Sequence, residues 1–167
     1  MADADDKRPG ELALPFDPTT TTGEAHVHFI GRIRSPWRER ADCPHSLREA
    51  RERSGGASIE ILPAYRPGLL GLSAPGHVHL LYWLDRSRRD LIVQHPRHSD
   101  RLRGVFSLRT PVRPNPIGLA LVRLLSLDAK AGILAIDAID CLDNTPLLDM
   151  KPYLPSIDAI APTEVLP

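Results

Sequence analysis

Two arginines with the chemistry to bind an anion lie in the segment RTPVRPNPIG, at Arg109 and Arg113. Residues that precede a proline avoid helical backbone angles, and this applies to Thr110, Arg113 and Asn115. The prolines fix their own φ angles and donate no backbone hydrogen bond. The pattern therefore predicts a stiff, extended loop whose guanidinium groups suit an anionic or planar polar ligand. An ordinary edge loop with solvated arginines is the alternative interpretation.

A second group of reactive side chains is acidic and comprises Asp137, Asp140, Asp143 and Asp149. The sequence Asp143-Asn144-Thr145-Pro146 is typical of a turn whose first side chain accepts a hydrogen bond. One interpretation is simple turn capping. The other is a ligand loop that faces the arginine loop.

Histidines form two pairs with a spacing that suits metal binding, His26 with His28 and His77 with His79. No third ligand lies at a telling distance, and strand histidines of this kind more often make local hydrogen bonds. Cys43 and His45 are too close in sequence to favour a thiol–imidazole pair. The sequence shows no P-loop, Rossmann glycine fingerprint or catalytic triad.

Short apolar runs at near-regular spacing must position these side chains. They predict seven strands, over residues 26–33, 57–62, 77–85, 90–96, 103–109, 118–127 and 132–139. Ser46 and Glu49 have capping-box spacing and predict a short helix, LREARER. A helical turn is expected around Leu69–Leu72. The pattern favours a mostly β fold, a single-sheet β-barrel of about seven short strands with little helix.

The composition sets the domain organisation. The chain has 167 residues, 42% hydrophobic, enough for one domain with a core. Residues 1–25 carry a net charge of −4 with several prolines and a threonine run, and are expected to be a disordered acidic tail. The barrel domain is predicted over 26–156, and a C-terminal tail over 157–167.

Charge and cysteine content suggest the compartment and the partners. The chain is neutral overall, so residues after the tail carry +4, almost all of it from arginine, which is compatible with RNA or phosphate contact. Two cysteines form neither a disulfide framework nor a four-ligand zinc site. With no apparent signal sequence or membrane span, we expect a cytoplasmic location.

Two long segments, RGVFSLRTPVRPNPIG and LDNTPLLDMKPYLP, closely resemble the TsaA-like or TrmO family. Its members are S-adenosyl-L-methionine-dependent methyltransferases that act on N6-threonylcarbamoyladenosine next to the anticodon of tRNA. The segments FIGRIRSPW, EILPAYRPGLLGL and GHVHLLYWLDRSRRD agree, so the resemblance runs from about His28 to Pro155. It implies a single-sheet barrel that binds the methyl donor, acts on tRNA and forms a homodimer. We expect the donor to bind without a metal.

The resemblance also implies roles for individual residues. Those expected at the donor site are Pro44, His45, Ser46, Asp85, Arg86, Arg109, Leu119, Asp143, Asn144, Thr145 and Pro146. Arg113, Asp149 and Lys151 are expected to bind substrate or fix loops. The family usually has His in place of Asp85 and Gly in place of Asn144, but Asn tolerates positive φ, so the turn can survive.

Transfer from a sulfonium mainly requires alignment of donor and acceptor, and a weak base near the acceptor nitrogen would assist. Asp140 and Tyr65 are the candidate bases. A barrel that methylates a small molecule, or that acts as a sensor of the donor, is the alternative function. A metal-binding barrel rests on the histidine pairs alone.

Overall fold

The computed structural model describes residues 7–15, 26–53, 55–96 and 100–159. The strands in these ranges are β1 (Leu12–Ala13), β2 (Gly31–Arg34), β3 (Ala57–Ile61), β4 (Gly76–Trp83), β5 (Leu91–Gln94), β6 (Arg103–Gly104), β7 (Ile117–Asp128), β8 (Ile133–Ile136) and β9 (Thr145–Pro152). The helices are α1 (Leu47–Glu52), α2 (Pro155–Asp158) and two 3-10 helices, Pro63–Leu69 and Val105–Ser107.

Six of these strands close into a barrel in the order β2-β3-β8-β7-β4-β9. The predicted barrel is therefore confirmed. The hairpin predicted over 118–127 and 132–139 is also confirmed, because β7 and β8 pair antiparallel with Leu124 opposite Ile136 and Asp128 opposite Ile133.

The barrel interior is filled by aliphatic side chains that alternate along each strand. In β3, Ala57, Ile59 and Ile61 are buried, whereas Ser58 and Glu60 are partly exposed. The same period places Leu80 of β4 inside. Because alternate residues of a strand point to opposite faces, the intervening side chains lie on the outer surface.

The strand that closes the barrel, β9, was not predicted. Thr145–Leu147 pairs with β2, and Leu147–Pro152 pairs with β4. Each proline of β9 therefore lies where only one neighbouring strand pairs with it, Pro146 opposite Arg32 and Pro152 opposite Val78. A missing N–H donor is tolerated at such positions, which explains how a Pro-containing segment forms this strand.

Three other predicted elements differ from the structure. The first barrel strand begins at Gly31, so His26 and His28 precede it and are not a strand pair. The run 103–109 is a strand only at Arg103–Gly104. It then turns into the 3-10 helix Val105–Ser107, because the Ser107 hydroxyl donates to the Gly104 carbonyl at 2.8 Å.

The helical turn expected around Leu69–Leu72 instead lies at Pro63–Leu69. Proline fixes φ near the helical value and suits the first position of a helix, which Pro63 occupies. The capped helix is confirmed: it begins at Leu47, and Ser46 Oγ accepts from the Glu49 N–H at 3.2 Å.

The described residues divide into two compact units, one of residues up to 27 with 83–118, the other of 28–82 with 119 onward. The first contains a three-stranded sheet in the order β1-β5-β6. Two of the seven strands expected in the barrel, those predicted over 90–96 and 103–109, therefore belong to this separate sheet.

The expected N-terminal tail is partly ordered. In β1, Leu12 pairs with Val93 of β5, and Glu11 Oε1 accepts from the His95 N–H at 2.9 Å. Residues 7–15 of the predicted tail therefore contain a short strand, since backbone pairing to β5 holds a segment that lacks apolar periodicity. Residues 1–6 and 16–25 lie outside the described residues.

The C-terminal boundary also shifts slightly. Helix α2 crosses the limit expected between the barrel domain and the tail, and residues 160–167 lie outside the described residues. Within the described ranges, every helix is too short or too polar to pass through a lipid bilayer.

Candidate functional site

The loop that precedes β9 is fixed by backbone contacts to the segment that follows β2. The Asp143 N–H donates to the Trp37 carbonyl at 2.6 Å, and Asp143 Oδ1 accepts from the Ser35 N–H at 3.2 Å. The half-buried carboxylate therefore caps a neighbouring segment and makes the loop rigid.

Asn144 occupies the left-handed region with φ 67°. The prediction that Asn sustains this turn is confirmed. Its N–H donates to the Ile33 carbonyl at 2.9 Å, and its Oδ1 accepts from Arg34 Nη1 at 3.2 Å. Arg32 Nη1 donates to the Asn144 carbonyl at 3.2 Å. Two arginines of β2 thus hold Asn144, which stands where the family usually has glycine.

The other two residues of the loop have buried side chains. Thr145 is 4% exposed, and its Oγ1 donates to the Leu142 carbonyl at 2.7 Å. Pro146 is also buried. These two side chains stabilise the loop, so the surface that the loop offers to a ligand comes from Asn144 and the backbone.

The predicted donor segment Pro44–Ser46 lies at the start of α1. Pro44 is buried, whereas His45 and Ser46 are exposed. The His45 N–H donates to Glu49 Oε2 at 2.8 Å, and this bond is the main reason that the pKa of Glu49 lies below its usual value. The exposed His45 side chain is therefore carried on a capped, fixed backbone.

Asp140, one of the two candidate bases, lies half-buried after β8. The Tyr82 hydroxyl donates to its Oδ1 at 3.4 Å, and Cys43 Sγ donates to its carbonyl at 3.5 Å. Burial raises the pKa of the Cys43 thiol to about 11. Cys43 is therefore protonated at neutral pH and is a poor nucleophile.

Tyr65, the other candidate base, is exposed on the 3-10 helix that follows β3. Since β3 and β8 run antiparallel, with Ala57 opposite Ile136 and Glu60 opposite Ile133, the segments after these two strands leave opposite ends of the pair. At about 3.3 Å per residue these ends are more than about 10 Å apart. We therefore do not expect Tyr65 and Asp140 to share one reacting atom.

The remaining predicted residues of the barrel unit lie on its outer surface. Leu119 of β7 is 51% exposed. Lys151 Nζ lies 2.7 Å from Asp149 Oδ2 on β9, so the two form an exposed ion pair. His77 and His79 of β4 contact the ring of Tyr153, with centroids 6.3 and 5.9 Å away. Within the described ranges, no three potential metal ligands come together.

In the other unit, Asp85 and Arg86 are exposed in the turn after β4. Arg109 is exposed in the proline loop, and Arg113 is half-buried. Arg113 Nη1 donates to the Leu108 carbonyl at 2.8 Å and lies 3.4 Å from the Thr110 carbonyl. Arg113 therefore braces its own loop through one nitrogen of the guanidinium.

Two residues that sequence reasoning missed tie this loop to the rest of its unit. Arg89 Nε donates to the Pro114 carbonyl at 2.6 Å, and Gln94 Nε2 donates to the Val112 carbonyl at 2.9 Å. Thr110 Oγ1 donates to Gln94 Oε1 at 3.1 Å. The predicted stiffness thus comes from side chains that satisfy the proline loop's carbonyls as well as from the prolines.

Two grooves lie on the outer face of the barrel. One, of about 490 Å³, runs beside Arg34, Pro36, Ser58 and Leu125. The other, of about 200 Å³, is lined by residues of β2, β3, β8, the hairpin before β8 and the segment after β3 that begins the 3-10 helix: Arg32, Glu60, Ile61, Leu62, Pro63, Arg66, Ala131 and Ile133. We call this second groove the arginine pocket. Sequence reasoning missed it, because nothing in the sequence separates Arg32 and Arg66 from the other arginines.

The sequence and the fold of this chain are both similar to those of known proteins. Residues 32–159 match the family model described as the tRNA-methyltransferase O N-terminal domain. The chain also resembles the crystal structure of TrmO from Pseudomonas aeruginosa, with a TM-score of 0.66 and 35% identity. That similarity covers 86% of this chain and 61% of the other.

Curated relatives have similar identity but differ in length. A "Probable S-adenosyl-L-methionine-binding protein" of Archaeoglobus fulgidus is 40% identical over 136 residues, which are 81% of this chain and 36% of the relative. One of the same description from Methanothermobacter thermautotrophicus is 39% identical over 82% of this chain and 96% of its own length. The chain therefore spans about a third of the first relative and nearly all of the second.

Proposed function

Since this chain belongs to the family of tRNA-methyltransferase O N-terminal domains, we propose that it is an S-adenosyl-L-methionine-dependent methyltransferase. The observation that carries this proposal is the extent of the match, from β2 to α2, which includes every strand of the closed barrel. Relatives described as binding S-adenosyl-L-methionine support the choice of donor.

The acceptor that we propose is N6 of threonylcarbamoyladenosine next to the anticodon of tRNA. The family description supports tRNA as the acceptor, and anticodon-loop nucleotides are single-stranded and accessible, as an enzyme that modifies a base requires. The tRNA would place the protein in the cytoplasm. We further propose a homodimer, because outward-facing apolar side chains of β7, Leu119 among them, are about half exposed.

The residues proposed to hold the donor have the chemistry that it needs. A sulfonium with a nucleoside and an amino acid requires cationic, anionic and apolar partners, and the candidates offer Arg86 and Arg109, Asp85, and Leu119 in accessible positions. In the barrel unit, the further candidates are His45 and Asn144 with its backbone. When bound, S-adenosyl-L-methionine supplies an activated methyl group, so the protein's task is alignment.

Two contributions follow from the chain's own groups. The contacts of Asp143 and Thr145 keep the loop before β9 in one conformation, which lowers the entropy lost on binding. Asp140, oriented by the Tyr82 hydroxyl, is the better placed candidate to accept the acceptor nitrogen's proton, because it is half-buried and lies in the segment that joins β8 to that loop. Arg113, Asp149 and Lys151 remain the proposed substrate contacts.

Methyl transfer in vitro tests the proposal. The purified protein is incubated with S-adenosyl-L-methionine and tRNA that carries unmethylated threonylcarbamoyladenosine, and the nucleosides are identified by mass spectrometry. We expect the N6-methylated nucleoside, and a loss of at least about tenfold in rate for Asp140→Asn. tRNA without the threonylcarbamoyl group is the matched control substrate. Donor binding without methylation of tRNA would instead favour a small-molecule acceptor or a sensor.

A further inference from the structure

We propose that the arginine pocket binds a backbone phosphate of the RNA on which the enzyme acts. This inference rests on the proposed function, since it assigns a contact to the same substrate. The pocket lies on the outer barrel face formed by β2, β3 and β8. None of the residues expected to hold the methyl donor lines it, so it is a separate site.

Arg66 is held in one position at the rim of this pocket. Its Nε donates to the Ile61 carbonyl at 3.3 Å and its Nη1 to the Lys130 carbonyl at 3.0 Å. Gly132 makes room for it, because a Cβ at this position would lie 2.6 Å from Arg66 Nε. The charge of Arg66 is therefore fixed by the fold, and Nη2 makes neither of these two bonds.

Arg32 lines the same pocket from β2. It is exposed, and its Nη1 donates to the Asn144 carbonyl in the loop before β9. A guanidinium carries five N–H donors in a planar fork, which matches the geometry of a phosphate. The contact to Asn144 also means that an anion bound by Arg32 lies next to the loop proposed to hold the methyl donor.

The charge balance of the pocket favours an anion. Its carboxylate, Glu60, is already paired, because Glu60 Oε2 lies 2.9 Å from Arg34 Nε. Asp128, in the hairpin between β7 and β8, accepts the Ala131 N–H at 2.9 Å and forms part of the turn. Arg32 and Arg66 therefore remain as the cations that line the pocket, with Lys130 exposed beside them.

The size and floor of the pocket favour one nucleotide unit of a polymer. Its volume of about 200 Å³ is below the range of roughly 300–1,000 Å³ that is usual for complete small-molecule sites. Leu62, Pro63 and Ile133 supply an apolar floor suited to a sugar or base edge. Exposed ion pairs are individually weak, so a free phosphate ion would bind to these arginines with low affinity. An RNA that is already bound through its acceptor nucleotide gains this contact at high effective concentration.

Direct RNA binding tests this site separately from catalysis. The probe is tRNA that carries threonylcarbamoyladenosine, titrated into the wild-type protein and into Arg66→Gln, Arg32→Gln and the double variant over a series of salt concentrations. We expect the double variant to bind about tenfold or more weakly near 0.1 M salt. The slope of log affinity against log salt should become shallower by about one for each lost phosphate contact.

Arg48→Gln is the matched control, because it removes the same charge from an exposed position on α1 outside the pocket. Its RNA affinity should stay within about twofold of wild type. Affinity for S-adenosyl-L-methionine and melting temperature are measured on every variant, and both should be preserved in Arg66→Gln, which does not touch Asn144. The proposal would be overturned if Arg66→Gln and the double variant both bind RNA with the same affinity as Arg48→Gln.

A second probe separates a polymer from a free nucleotide. Adenosine monophosphate is titrated into the wild-type protein and into Arg66→Gln. The RNA assignment would also be overturned if the wild type binds this nucleotide at micromolar concentration, and if Arg66→Gln loses that binding but keeps wild-type affinity for tRNA. The proposed reaction fails independently: pocket-dependent RNA binding without methyl transfer would reject the reaction and keep the site. A wild-type protein that binds no tRNA would reject both.

Discussion

Gly31 shows how one small residue permits the close approach of two barrel strands. A Cβ at this position would lie 2.3 Å from the Glu60 carbonyl oxygen of β3. The obstacle is backbone, which cannot rotate away as the end of a side chain can. β2 carries Arg32 and Arg34, so the same close approach positions both arginines that contact Asn144.

Gly31→Ala should therefore destabilise the barrel by about 1–3 kcal/mol, the usual cost of an added group in a filled space. For a chain of this size the melting temperature should fall by roughly 3–10 °C. Thermal unfolding followed by circular dichroism measures the change. Gly56→Ala is the matched control, since no heavy atom lies within 4 Å of its added Cβ, and it should melt within a few degrees of wild type. An equal effect in both variants would reject the explanation.

Part of the candidate site could be predicted from residue types, and there are physical reasons why the rest could not. The positive φ of Asn144 was predictable, because Asn is one of few residues that tolerate it. The role of Arg32 and Arg66 could not be predicted, because it depends on which backbone carbonyls lie close to each guanidinium in the folded chain. Ile61 is five residues from Arg66, but Lys130 is 64 away.

At the scale of elements, the proline loop between β6 and β7 owes its shape to more than its prolines. Arg113 satisfies the Leu108 carbonyl within the loop, whereas Arg89 and Gln94 satisfy carbonyls from outside it. These contacts involve only the protein's own groups, so they favour one loop conformation without a ligand. The loop is therefore best regarded as a preorganised element of the unit that contains it.

Arg113→Ala removes the brace from within this loop. We expect tRNA methylation to fall about 10- to 100-fold, as for a lost hydrogen bond to a charged group. Arg113→Lys should recover only part of this, because lysine lacks the planar fork. Arg109→Ala is the comparison variant and should weaken donor binding first. Donor affinity, methylation rate and melting temperature are measured on all three.

A variant that lowers only the melting temperature of the protein, with normal activity per folded molecule, would show that Arg113 has a bracing role alone. The hydrogen bonds from Arg113 to the Leu108 and Thr110 carbonyls both use Nη1 of its guanidinium. Both a brace and a substrate contact therefore remain chemically possible for this side chain, and the activity measurement distinguishes them.

The elements that the sequence predicted well are those with clean alternation. β3, β4 and the β7–β8 hairpin were found within a few residues because apolar side chains alternate or run together between turn signals. β9 was missed because Thr145-Pro146 imitates a turn and because Asp149 and Lys151 interrupt its apolar pattern on the outer face. Pairing with a different strand in each half, which makes its prolines acceptable, is a tertiary property that local sequence does not encode.

At the scale of the whole molecule, the outer surface of β7 carries several exposed apolar side chains. Ile117, Leu119 and Leu125 are 43%, 51% and 46% exposed, and each alternates with a buried residue. Exposed apolar rows of this kind are typical of interfaces. The family resemblance of the sequence implies a homodimer, and this row is the surface that we propose for its interface.

We therefore expect the protein to be a dimer in solution at micromolar concentration. Light scattering should give about twice the chain mass of 18.5 kDa. Leu125→Glu, which places a charge in the apolar row, should shift the mass toward the monomer. Arg48→Gln is the control and should leave it unchanged. A wild-type mass of one chain would refute the prediction.

The position of β9 in the chain has a consequence for how the protein is made. It is the last barrel strand to leave the ribosome, yet it alone joins β2 to β4. Until residues 145–152 emerge, the nascent chain has two open strand edges, which are prone to pair with other chains. Since Thr145 and Pro146 both begin this strand and belong to the proposed donor loop, closure of the barrel and completion of that loop are one event in the protein's biogenesis.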